Sequence, residues 1–311
     1  MAALHIQVLR EREETDWSAL TTSNQFHALG LYANFCRQQV RMWTDYVATL
    51  RTRSVDRIDV ERVRHLTINA WNTEHLLELT RKSFNMQGDG FATQWAFPQA
   101  YYSVFNSTLA SFACSGFTEK THTGVCKNIS EQACEGRLPN SLNVYADGGL
   151  NSITVVGMSS SCQDFQSASM DVSDPENIKH HIITYLKSTR RRLLEDRKSS
   201  MKIKTKDGKK RKQRLNKDDW KRVSSALGKT SWLCMLYRKR IKWNYGDIDT
   251  YLSSDFNTAR VLQGLSRFVC LFNFTNEINI INHLGVDQVR SWVPGRDYRG
   301  QDRIDHIAKL I

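Results

Sequence analysis

The stretch FPQAYYSVFNSTLASFACSGFTEKTHTGV, Phe97 to Val125, decides how the chain is read. Tyr101, Tyr102, Phe105, Leu109, Phe112 and Ala113 return with the spacing of a helix that buries one face. Pro98 carries the fixed φ of a first helical turn, so the pattern predicts a helix beginning near it. Gly116 stops that helix, and Thr121-His122-Thr123-Gly124-Val125 leads into a shorter one reaching about Glu135.

The same period extends outward. Upstream, Val63, Leu66, Ala70, Thr73, Leu77, Thr80 and Phe84 mark a helix behind the capping oxygens of Ser54 and Asp56, closed by Gly88 and Gly90. Before it, Phe26, Leu29, Tyr32, Ala33, Cys36, Val40, Trp43 and Val47 predict one long helix from Asn24 to about Arg51; residues 1–22 are polar and carry no readable pattern. Downstream, NVYADGGLNSITVVGM (Asn143 to Met158) alternates about an Asp-Gly-Gly turn and reads as a small hairpin, followed by loop to Asn177. Ile178 to Leu194 predicts a helix, and helical spacing resumes at Trp220, with Val223, Leu227, Cys234 and Ile241 on one stripe. Asn257 to Leu284 is dense in apolar residues and reads as a buried helix; the remainder is a turn and a short helix.

Composition narrows the class. At 311 residues the chain can bury a substantial core, and 40% apolar with 10% aromatic content excludes a wholly disordered protein. Four prolines and sixteen glycines favour helices over many short strands. No run approaches the roughly 20 apolar residues of a membrane span, and the N-terminal stretch does not resemble a secretory signal. Seven scattered cysteines, with no C-x-x-C pair, read as free thiols in a reducing cytoplasm rather than a disulfide framework or metal site, and no cofactor is implied. The net charge of +12 is local: from Lys187 to Arg222 seventeen Lys and Arg face five acids, and the rest of the chain balances. Arg190, Arg191, Arg192, Lys209, Lys210, Arg211, Lys212 and Arg214 form the densest part. Such a run reads either as a solvated loop, as an electrostatic footprint for phosphate backbones, or as a surface for an acidic partner.

Two separated pieces resemble one family. Phe97 to Val125 is similar to the second helix and following turn of HEPN proteins, an Ala-Tyr-Tyr helix followed by a Thr/Ser-His turn. RKRIKWNYGDID, Arg238 to Asp249, resembles the fourth helix of HEPN proteins that partner small nucleotidyltransferases, where an Arg is followed five positions on by a Tyr. The resemblance implies a mainly α-helical, HEPN-like bundle over about 59–136 and 217–275. The chain then divides into an N-terminal helical extension (1–57), a first part of the bundle (58–136), an insertion with hairpin and basic loop (137–216), and a second part with C-terminal helices (217–311).

The resemblance further implies a homodimeric, metal-independent endoribonuclease or RNA-binding module of a toxin–antitoxin or antiviral defence system, with a nucleotidyltransferase antitoxin as a possible partner. The RNA 2′-hydroxyl would attack the adjacent phosphate, leaving 2′,3′-cyclic phosphate ends. Arg240 takes the place that stabilises charge on the phosphorane. Tyr245 stands where nuclease members often carry His; with a reference pKa of about 10 a phenol is a poor base near neutrality, so it would orient the hydroxyl, donate a proton or accept a modification. The plain alternative is a surface Arg and a half-buried Tyr at a helix end. An ideal helix separates the two by about 140°, so a shared site needs a distortion or a second protomer. His122 matches the family's turn histidine, as a nucleotide contact or as a capping or core residue. Arg299 and His306 form a reserve pair of the looser R-x4–6-H type. Asp247 and Asp249 diverge on a helix and are read as solvated or capping.

Overall fold

The computed structural model describes the backbone of residues 2–50, 58–87, 93–162, 172–204, 212, 214–245, 256–293 and 299–311, and of these the side chains of all but 2–16, 85–87, 93, 94, 242–245, 299 and 300. The described chain is a mainly α-helical bundle, as the spacing predicts. Its elements are α1 (Ala2–Gln38), α2 (Val40–Thr49), α3 (Val60–Gln87), α4 (Thr93–Cys114), α5 (His122–Cys134), β1 (Tyr145–Asp147), β2 (Thr154–Val156), α6 (Pro175–Met201), α7 (Lys217–Leu227), α8 (Trp232–Tyr245), α9 (Thr258–Leu284), α10 (Val286–Arg290) and α11 (Arg299–Ile307).

The centre is α9. It starts where Asn257 accepts a hydrogen bond from the Arg260 amide, and every residue from Leu271 to Ile278 is buried, so that stretch is enclosed on all sides. It lies against α1, α3 and α4, while α8 packs on α4, α5 and α6. Gly30 of α1 and Gly264 of α9 let two backbones meet: a Cβ on Gly264 would fall 1.9 Å from the Phe26 carbonyl oxygen, and one on Gly30 would fall 2.6 Å from the Gly264 Cα. One hydrophobic core joins Phe26, Trp43, Phe97, Leu142, Tyr185, Trp232, Phe268 and Ile304. Residues of the N-terminal extension from Ala19 to Tyr46 therefore contribute to the same core as the bundle, and so do Leu142, Tyr185 and Leu186 of the insertion. A smaller cluster of Leu194, Ile203 and Val223 lies between α6 and α7.

Several expected boundaries move. The long helix predicted from Asn24 is two helices, because Gln39 leaves helical geometry (ψ 76°) and the Trp43 indole takes the Cys36 carbonyl at 3.1 Å. Its polar upstream residues are helical too, from Ala2. Pro98 is inside α4 rather than in its first turn. Its ring removes one backbone donor, a cost offset by burial of Ala96 and Phe97 in the turn before it, with Phe97 edge-on to Phe26 at 5.0 Å. The stripe running from Trp220 to Ile241 is broken at Gly228 (φ +78°), beyond which Thr230 bridges to Ala146 of the hairpin. Ile241, expected on the buried stripe, is exposed. The hairpin itself forms as predicted, with Tyr145 opposite Val156 and Asp147 opposite Thr154.

Candidate functional site

Three consecutive cations of α8 leave the helix in three directions, since each residue turns about 100°. Arg238 donates to Ser188 Oγ (3.0 Å) and Thr189 Oγ1 (3.3 Å) of α6. Lys239 is buried; its ammonium donates to Thr22 Oγ1 (3.0 Å) of α1 and lies over the rings of Phe26 and Tyr185. Arg240 turns toward α4, where its guanidinium carbon is 4.8 Å from the ring centroid of Tyr102, 5.4 Å from Tyr101 and 5.9 Å from Tyr237. Ring faces attract a guanidinium without neutralising it, and they leave the N–H edge free for an anion. Arg240 has no carboxylate partner among the described residues, and its buried Nε–H has no acceptor.

His122 joins the same cluster. Thr121 caps α5 by accepting from the Gly124 amide (3.1 Å), and Glu119 accepts from the Lys120 and Thr121 amides and the Thr121 hydroxyl. Those bonds hold the Glu119 carboxyl below its ordinary pKa. The fixed turn delivers His122 Nδ1 to within 2.8 Å of the Tyr101 hydroxyl, with the imidazole 4.5 Å from Phe105 and stacked on Tyr237 at 5.8 Å. Burial first, and then the Arg240 charge, push the His122 pKa down, so the ring is neutral at neutral pH. Burial raises the Tyr101 phenol well above its ordinary value, so it stays protonated. With the proton on Nδ1, Nε2 is a base; with Nδ1 accepting from Tyr101, Nε2–H is a donor toward a phosphate oxygen.

Arg240 and His122, read from separate pieces of sequence, are thus brought together. Tyr245 is the last residue of α8, about 7.5 Å further along its axis, and its side chain lies outside the described residues, as do Asp247 and Asp249. Of the reserve pair, the Arg299 side chain is likewise outside, while His306 is exposed on α11 and rests against Phe274 at 5.6 Å.

The basic set divides. Arg190 is removed from any nucleic-acid surface: it is fully buried under the hairpin, donating to the carbonyls of Ala146, Gly148 and Gly228, to Thr230 and Ser224 hydroxyls, and to Asp147. Arg191 and Arg192 are exposed, and Arg192 pairs with Asp196 at 3.2 Å. Lys212 is tied to Asp219, the residue that completes the capping box of α7 with Asn216. Arg214 is exposed, and Lys209, Lys210 and Arg211 lie outside the described residues. Trp220 is covered by the Lys198 ammonium at 5.6 Å.

Tyr237 was not singled out by the sequence. It precedes Arg240 by three positions, on the same face of α8, and the motif directs attention only downstream of the Arg. No family model, curated protein or solved structure matches the chain. No described helix is long and apolar enough to cross a membrane.

Proposed function

We propose that this chain is a metal-independent endoribonuclease of the HEPN type, working as a cytoplasmic homodimer in a toxin–antitoxin or antiviral defence system. The observation that carries the reading is the Arg240 guanidinium, bedded on Tyr101, Tyr102 and Tyr237 beside His122, with no acid to neutralise it among the described residues. In the reaction the RNA 2′-oxygen forms a bond to the adjacent phosphorus as the bond to the 5′-oxygen breaks. Arg240 donates to the non-bridging oxygens, where negative charge accumulates. Neutral His122 takes the 2′-hydroxyl proton through Nε2, and the leaving 5′-oxygen takes a proton from solvent water. Tyr245, from the same chain or a second protomer, orients the hydroxyl. Arg191, Arg192 and Arg214, with Lys209, Lys210 and Arg211, hold the RNA backbone without reading its sequence.

A second reading has its own observation in favour. Tyrosine at 245, where nuclease members often carry histidine, suits a silent RNA-binding or partner-binding module, including one whose tyrosine is modified by a nucleotidyltransferase. Incubation with total RNA in EDTA separates the two. A nuclease gives 2′,3′-cyclic phosphate ends with wild-type protein and none with Arg240→Ala, whereas a binding module retains RNA and cleaves nothing.

A further inference from the structure

Where α3, α9 and α11 meet the last turn of α1 there is a second polar region, lined by no residue of α5 or α8. One wall is a closed network. Arg303 of α11 is buried and donates through Nη1 to Glu74 Oε1 (2.6 Å) and through Nη2 to Glu277 Oε1 (2.7 Å), which also accepts from the Trp71 indole (2.7 Å). Across from it Arg81 donates through Nε to Glu78 (2.9 Å), which accepts as well from Ser266 (2.9 Å). Between these pairs opens a cavity of about 410 Å³, within the range of small-ligand sites.

The cavity holds more donors than the protein uses. Four guanidinium groups line it, of which Arg81 is paired with Glu78 and Arg303 with Glu74 and Glu277. Arg37, in the last turn of α1, and Arg267 of α9 have no carboxylate partner among the described residues. Arg303 also carries a buried Nε–H without an acceptor, an arrangement interiors rarely tolerate. The one carboxylate of the lining outside these networks, Asp302, is exposed and solvated. Two guanidinium groups without a carboxylate partner among the described residues, Arg37 and Arg267, thus line one space large enough for a metabolite.

We propose that this cavity binds a small oxyanion ligand, a phosphate ester or carboxylate, between Arg37 and Arg267 with Arg303 at its base. The guanidinium fork matches both oxyanions in two-point contact. A ligand held this way joins helices from the two ends of the chain, so it stabilises the folded protein as it saturates.

The test is isothermal titration of the full chain at low salt with inorganic phosphate, glycerol 3-phosphate and succinate, the last two separating phosphate ester from carboxylate. At least one of the three should bind saturably at one site per chain. Arg37→Gln and Arg267→Gln should each weaken it about tenfold or more, the worth of one charge-assisted hydrogen bond. Arg37 is exposed, so its variant folds. Arg191→Gln combined with Arg192→Gln reports on adsorption to the basic helix and should leave the affinity unchanged. The proposal is overturned if none of the three binds at millimolar concentration, if either Arg37→Gln or Arg267→Gln leaves the affinity unchanged, or if affinity disappears in the Arg191/Arg192 variant instead.

Discussion

The Tyr101 hydroxyl lies 2.8 Å from His122 Nδ1, while the neighbouring Tyr102 presents its ring to Arg240 at 4.8 Å. Two adjacent residues of one helix thus meet both functional side chains. Tyr101 fixes the imidazole through its oxygen while its ring, 5.4 Å from the guanidinium, joins that of Tyr102 beneath Arg240. The Ala-Tyr-Tyr segment acquires a physical reason for both of its tyrosines.

If Tyr102 acts through its ring, Tyr102→Phe retains RNA cleavage and Tyr102→Leu lowers it by about tenfold, the equivalent of one partly desolvated cation–π interaction. Initial cleavage rates of the two variants, with circular dichroism to establish folding, give the comparison. An equal fall in both would transfer the role to the hydroxyl.

The consecutive arginines of α6 should separate into different kinds of residue. Arg190→Met takes one donor from each of the Ala146, Gly148 and Gly228 carbonyls and from Asp147, leaving the Gly228 carbonyl with none among the described residues, and should cost about 3 kcal/mol of stability in urea denaturation. Arg191→Gln with Arg192→Gln should change stability by no more than about 0.5 kcal/mol. It should instead lower the dependence of RNA affinity on salt, by about 0.7 in logarithmic slope for each phosphate that is no longer neutralised.

Gly264→Ala should destabilise by about 3 kcal/mol or more, because the added Cβ meets the Phe26 backbone rather than a side chain that can turn aside. Gly136→Ala is the contrast within the same residue type: its Cβ would meet open space, and only the positive φ (70°) opposes it, at about 1 kcal/mol. Thermal melts of the two variants rank the effects.

Two buried groups give stability opposite dependences on pH. Burial, and after it the neighbouring His180, lower the pKa of His181 to about 4, and neither of its ring nitrogens has a partner. The unfolded chain then binds the extra proton first, so stability is complete above about pH 6.5 and falls as pH drops toward about 4. Burial raises Glu277 to about 7 against the opposing pull of Arg303. Here the folded chain holds the proton, and stability falls as pH rises from about 4.5 to about 7. In wild type the two slopes partly cancel. His181→Phe should gain on wild type by about 2 kcal/mol as pH falls from about 7 to about 4.5, while Glu277→Gln should gain on it as pH rises through the same window. Urea midpoints across that range measure both differences, and a His181→Phe difference that stays constant would contradict the assignment.

The helices were legible because apolar residues recur on one face wherever a face is buried, as with Val63, Leu77, Phe105 and Phe112. The breaks at Gln39 and Gly228 were not, since each depends on a distant partner: the Trp43 indole supplies a donor at one, and pairing of Thr230 with Ala146 fixes the other. Pro98 misled because burial of Phe97 outweighs the local preference of a proline for a first turn. At the site, Arg240 and His122 were visible as residue types at motif positions. Arg190 reads as a member of the basic run and Lys239 carries no reading of its own, yet both are interior, one bonded to carbonyls and one over aromatic rings. Charge in a sequence locates basic residues without saying which way each side chain turns.

In the proposed reaction Arg240 acts on the transition state rather than as a general RNA contact. Single-turnover cleavage rate and RNA affinity of Arg240→Lys, measured beside wild type in EDTA, test it most directly. The account predicts a rate at least about a hundredfold lower with affinity within a few-fold of wild type, since a lysine keeps the charge and lacks the planar fork. A rate equal to wild type, or affinity and rate falling together, would contradict it.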